Sequence, residues 1–155
     1  MVNLSLIMLA IISFVGLFIG YLLYTLTKEE KKQLERFLIL TEFGTYLIIA
    51  LTIFLAFGTE LLFTIFGIAI IGITLFFVKI KSYIIFPLLG IITYAIHNIS
   101  NVLTAVTLLV FISGMVTGTL YSYNNERKSM RKVLFELFYL HVSYLIVIIG
   151  MVLIF

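Results

Sequence analysis

The sequence has no cysteine, no aspartate, one glutamine and one proline, Pro87, in 155 residues. Without thiols there can be no disulfide framework, zinc-thiolate site, iron–sulfur cluster or thiol redox chemistry. Charge is also scarce. Charged residues make up 11% of the chain and hydrophobic ones 63%, against roughly 25% and about 45–50% in soluble domains, so no stretch is left for a folded soluble unit. Walker, GxSxG, HExxH and dinucleotide fingerprints are missing, which argues against nucleotide-driven and serine-triad chemistry. Nothing in the sequence calls for a cofactor, and whether a metal binds is not legible. The net charge is +3, but the basic residues cluster at the ends of apolar runs, where membrane topology alone places them; nucleic acid is not an expected partner. Isoleucine, phenylalanine and leucine dominate and lysine outnumbers arginine, a bias of AT-rich or thermophilic genomes that points to a prokaryotic source.

What is present is a series of apolar runs, each near the length of about 20 residues that a helix rising about 1.5 Å per residue needs to cross about 30 Å of hydrocarbon. They are Leu4–Thr27, Phe37–Phe57, Leu61–Val78, Tyr83–Ile99, Val102–Tyr123 and Val133–Phe155. The first has no basic n-region and no small-residue cleavage site, so it is read as a retained helix. Pro87 and Gly90 interrupt the fourth, which predicts a broken or re-entrant helix there.

The charges give the runs a direction. Lys28, Lys31, Lys32 and Arg36 lie between runs one and two, Lys79 and Lys81 between three and four, and Arg127, Lys128, Arg131 and Lys132 between five and six. The alternate loops hold Glu60 and the stretch His97–Asn101 and no basic residue. All ten basic residues thus fall on one side, as the positive-inside rule requires. Tyr21, Tyr24, Tyr83, Tyr121 and Tyr123 fall at the same helix ends, as an interfacial aromatic belt would. The expected fold is all-α: a multi-pass protein of the cell membrane, a single transmembrane domain over residues 1–155, with six helices in three hairpins and both termini outside.

A shift of 98 residues lays residues 11–57 on residues 109–155 without a gap. Gly16 and Gly20 fall on Gly114 and Gly118, and Thr45–Ile49 (TYLII) on Ser143–Val147 (SYLIV). Ile71–Phe77 resembles Ile19–Thr25, so the middle hairpin, residues 61–99, would be a third copy in a parallel repeat. Each glycine pair has GxxxG spacing, which clears one helix face for close backbone approach, within the chain or between copies.

Ionisable groups inside hydrocarbon are costly and therefore mark candidate sites. Glu42 lies six residues past Arg36, about 9 Å inward at the helical rise, where a lone carboxylate is expected to give up its charge or find a partner. His141 lies nine residues past Lys132, about 13 Å inward, and the repeat places Glu42 on Leu140, beside it. A Glu42–His141 pair, with Tyr46 and Tyr144 from the two aligned motifs, could relay protons or hold a cation or substrate; a hydrogen bond that only fixes helix packing would use the same residues. Glu136, four residues after Lys132, is expected to pair with it along the helix. The outer cluster His97, Asn98, Ser100 and Asn101 could coordinate an ion or bind a headgroup, or form a turn in which Ser100 or Asn101 caps the next helix. Asn98-Ile-Ser100 and Asn3-Leu-Ser5 match glycosylation sequons but hug the membrane. His97-x-x-x-Asn101 resembles the last motif of the CAAX-type intramembrane prenyl proteases; that family's EExxxR motif has Leu34 where the arginine belongs, its FxxxH motif has no match, and its activity is not carried over.

The expected function is that of a small transporter or channel for an ion or small solute, working as an oligomer. The alternative is an accessory subunit of a larger membrane complex. An intramembrane enzyme acting on lipid or peptide stands third, since it needs polar groups to converge and these lie at different depths. The expected partners are the lipid bilayer and further copies or other membrane subunits.

Overall fold

A computed structural model describes residues 4–58, 64, 65, 67–72 and 82–154. Among them every regular element is helical and none is a strand. Helix α1 spans Leu4–Thr27 and passes through a 3-10 turn, Lys28–Glu30, into α2, Lys31–Ala56. Residues 64–65 and 67–72 are helical; the rest of the third apolar run, Glu60, Lys79, Lys81 and the similarity at 73–77 lie outside the described residues. Helix α3 follows at Ser82–Ala95, α4 at Ser100–Asn124, α5 at Met130–His141 and α6 at Ser143–Ile154. The break at Val142 is slight, because Ile146 N–H still reaches the Val142 carbonyl at 3.0 Å. Among the described residues, four runs are long and apolar enough to cross a membrane: Leu4–Glu30, Gln33–Ala56, Ser100–Asn124 and Met130–Ile154.

The helix of the fourth apolar run ends four residues before the expected Ile99. It is helical through both Pro87 and Gly90 and ends at Ala95, so neither residue breaks it. The described part of this helix, 14 residues, covers about 21 Å at the helical rise. Glycine at position 90 serves packing: a Cβ there would stand 3.0 Å from the Tyr144 carbonyl oxygen and 3.2 Å from Val147. Helices α3 and α6 are pressed together at that point.

Helix α4 is the centre of the molecule. Both α1 and α2 pack on it, far more than on each other, so a helix that arrives later in sequence lies between the chain's first two. The α1–α4 contact is made by the two GxxxG pairs. A Cβ on Gly16 would strike the Phe111 carbonyl, and one on its aligned partner Gly114 would meet the Ser13 carbonyl at 3.5 Å. A Cβ on Gly20 would strike the Met115 carbonyl, and one on Gly118 the Leu17 carbonyl. Phe111 and Met115 are themselves 98 residues beyond Ser13 and Leu17, so the contact is reciprocal, each helix presenting the same positions to the other, as at a twofold interface.

At that approach small side chains bond directly to facing backbone, as in membrane helix pairs. Ser13 Oγ lies 3.0 Å from the Thr107 carbonyl and Thr119 Oγ1 donates to the Gly20 carbonyl at 2.9 Å. At the basic end the Thr27 and Tyr123 hydroxyls are 2.7 Å apart, and Lys31 Nζ donates to the Tyr123 carbonyl at 2.8 Å. Those bonds, with a Lys31–Glu126 ion pair at 3.7 Å, gather the first and last basic loops at one end of the bundle. Large apolar side chains are left exposed on the outward faces, among them Leu40 and Leu55 on α2 and Phe135 on α5.

Candidate functional site

Between α2 and α4, at the basic end, lies an open cleft of about 280 Å³ lined by Glu35, Ile39, Glu42, Thr117, Leu120, Tyr121 and Asn124. The spacing explains it. Glu35, Ile39 and Glu42 recur at i, i+4, i+7 on α2, and Thr117, Tyr121 and Asn124 do the same on α4, so each set lies along one helix face. Seven residues separate the outer from the inner member of each set, about 10 Å of helix. Glu35 and Asn124 therefore flank the mouth, and Glu42 and Thr117 the floor.

At the floor the Glu42 carboxylate accepts two hydrogen bonds on one oxygen, from Thr117 Oγ1 at 2.6 Å and from Tyr46 at 3.3 Å. Thr117 and Tyr46 are buried while Glu42 is half-buried. The Thr45 hydroxyl turns away to the Glu42 carbonyl at 2.8 Å. A carboxylate oriented on one oxygen by two hydroxyls, at the bottom of an open cleft, can take up a proton or contact a cation. Two of the lining side chains are acidic and none is basic, although the bundle end around them is rich in lysine and arginine.

Of the residues singled out with Glu42, only Tyr46 joins it. His141 is 1% exposed, its Nδ1 lies 2.9 Å from the Leu137 carbonyl, and its ring packs edge-on against Phe86 with centroids 4.7 Å apart. Tyr144, also fully buried, meets Phe86 edge-on with ring centroids 6.2 Å apart. Among the described residues no contact joins Glu42 to either. Glu42 faces α4, whereas His141 and Tyr144 are covered by α3.

The outer cluster forms a turn between α3 and α4. His97 Nδ1 lies 2.7 Å from the Tyr94 carbonyl and the two rings stack at 5.0 Å. Helix α4 then starts at Ser100, with Ile99 at the N-cap and no side-chain cap bond, so neither Ser100 nor Asn101 caps it. Asn98, Ser100 and Asn101 are exposed, and no group of three or more metal-ligating side chains occurs among the described residues.

Glu136 is bonded differently from the expected pairing with Lys132. Its carboxylate takes Lys128 Nζ at 2.6 Å and the Tyr121 hydroxyl at 2.5 Å. Lys128 lies eight residues earlier, in the loop between α4 and α5, so the ion pair ties that loop to α5 and the Tyr121 bond ties α4 to it, instead of a pair running along one helix. The ion pair sits beside Tyr121, a lining residue of the cleft.

Sequence reasoning missed Glu35, Thr117, Tyr121 and Asn124 as companions of Glu42. The signal was there in part, since three polar groups at i, i+4, i+7 in an apolar run imply a polar stripe. What the stripe faces is a tertiary fact. Comparisons with protein families, curated proteins and solved structures find no match for this chain.

Proposed function

We propose that the chain is a small multi-pass protein of the cell membrane that moves a proton or small cation, as a transporter or channel working as an oligomer, with Glu42 as its ion site. The observation that carries this reading is the cleft: acidic, free of basic side chains, about 10 Å deep at the helical rise and floored by a carboxylate that two hydroxyls orient. An ionisable group held inside an apolar helix and reached by a polar cleft is what an ion path requires. The topology that goes with it is six spans in three hairpins, with the basic loops inside and both termini outside. The reciprocal contact of the two glycine pairs supports a parallel repeat of residues 11–57 in 109–155.

Flux into proteoliposomes, with and without a pH gradient, tests the reading. The wild type is expected to conduct, Glu42→Gln to lose at least 90% of the flux, and Glu35→Gln to lower it less. Absence of flux from wild-type vesicles under every gradient would sink the proposal, as would a Glu42→Gln variant that conducts normally.

A second reading, an accessory subunit, is favoured by the large apolar side chains exposed on α2 and α5. Partner helices would cover them as readily as lipid does. Purification as a stable oligomer of this chain alone argues against it; recovery only with other subunits argues for it.

A further inference from the structure

At the basic end of the bundle a second pocket, of about 280 Å³, opens between the end of α1 and the turn that joins α4 to α5. Tyr21, Tyr24, Thr25 and Lys28 line it at i, i+3, i+4 and i+7, the spacing of one helix face. Seven residues separate Tyr21 from Lys28, about 10 Å at the helical rise, so the lysine stands at the rim and the phenols below it. Most of the other polar groups are already committed. The Thr25 and Ser122 hydroxyls donate to the Leu22 and Gly118 carbonyls, each at 2.7 Å, and Asn125 Nδ2 donates to the Tyr121 carbonyl at 2.8 Å. Glu126, the acidic side chain of the lining, lies 3.7 Å from Lys31 Nζ, and Lys128 Nζ gives a proton to Glu136 at 2.6 Å.

Three groups are left over. Tyr21 and Tyr24 are each 8% exposed and form no hydrogen bond among the described residues. Neither hydroxyl is sealed from solvent as that of Tyr144 is, so both open on the pocket that their side chains line. Lys28 makes no ion pair among the described residues. We propose that this pocket binds the phosphate of an anionic phospholipid, with Lys28 as its charge partner and the Tyr21 and Tyr24 hydroxyls as donors beneath. Two phenols and an ammonium have protons to give, and a phosphate offers them several oxygens and a matching charge in one group. A free phosphate ester shares that chemistry, but the surroundings favour the lipid. The pocket lies where the basic residues gather, the level at which headgroups meet a multi-pass protein. Leu22 and Leu26, 56% and 80% exposed on the same turns of α1, leave bare apolar surface for acyl chains. The assignment uses the membrane setting of the chain and not the ion path assigned to Glu42.

Calorimetric titration of the purified full-length protein in a neutral detergent tests it. The probes are a short-chain phosphatidylglycerol, the matching phosphatidylcholine, whose own choline offsets its phosphate, and glycerol phosphate, which has no acyl chains. The wild type is expected to bind phosphatidylglycerol more tightly than either of the others. Lys28→Gln should weaken that binding about tenfold, the loss of one charge-assisted bond, and Tyr24→Phe about fivefold with the net charge unchanged. Arg131→Gln removes the same charge from an exposed side chain outside the lining and should matter less than about threefold, because salt screens it. If Arg131→Gln matches Lys28→Gln and Tyr24→Phe changes nothing, diffuse surface charge holds the lipid and the site is overturned. Equal binding of the two lipids also overturns it. Glycerol phosphate bound as tightly as phosphatidylglycerol overturns the lipid assignment in favour of a free phosphate ester. The titration reads binding and not flux, so failure here and failure of the ion-path reading are distinguishable.

Discussion

Glu42 and Leu140 occupy matching places in the two aligned hairpins, yet their surroundings differ. Around Glu42, α2 packs on α4, with Gly72 near Phe43 and Leu47 on another face of α2, and the polar groups between α2 and α4 stay in an open cleft. Around Leu140 and its neighbour His141, α3 lies across the helix: Phe86 covers the imidazole and Gly90 lets the backbones close over Tyr144. An added helix has turned one half into a sealed core and left the other as a cleft. The lesson is that depth along a helix does not decide whether a polar group can be reached. What lies across it does.

The comparison can be broken most forcefully at the shared axis. Gly118→Leu places a side chain on the Leu17 carbonyl, a backbone atom that cannot step aside, and should cost more than about 3 kcal/mol, read as loss of folded protein on size exclusion. A variant that folds normally would show that the two halves do not meet as described.

On the sealed side, His141→Ala should cost about 2–4 kcal/mol by emptying a packed site beside Phe86, measured by thermal melting. Flux, where present, should fall only as folded protein is lost. A variant with intact stability and no flux would move the ion site to His141.

On the open side the effect should change sign. Gly44 has no atom within 4 Å of an added Cβ, so Gly44→Ala should stabilise by up to about 1 kcal/mol through helix propensity. A measured destabilisation would mean that an unseen surface, such as a second subunit, covers this face of α2.

The smallest effect belongs to the Lys128–Glu136 pair at the rim. Lys128→Met should lower the melting midpoint slightly at low salt and not at all at high salt, because a partly exposed pair is screened. A loss that persists in high salt would mark the pair as buried in the working assembly.

Much of the fold was legible because it rests on local properties. The end of the first run at Thr27 was legible to the residue, since the charged flank that begins at Lys28 announces it. The fourth run was misjudged at Pro87 and Gly90, where packing against α6 keeps the helix going past two residues that weaken it in isolation. Glu42 was legible as a candidate because a carboxylate in an apolar run stands out. Its partner was not, because hydroxyls in apolar helices are common and most, like Thr41 and Thr52, bond only their own backbone.

By itself the sequence determined that this chain is helical, apolar and basic at one set of helix ends, since apolar runs and charges act within a turn or two of where they stand. It also determined the two glycine faces. Only the tertiary structure decided that those faces meet each other, which puts α4 between α1 and α2 and so brings Thr117, not His141, to Glu42. Partner choice depends on the rotation and order of whole helices, and a difference of one helix face is invisible in a list of which residues are deep and polar.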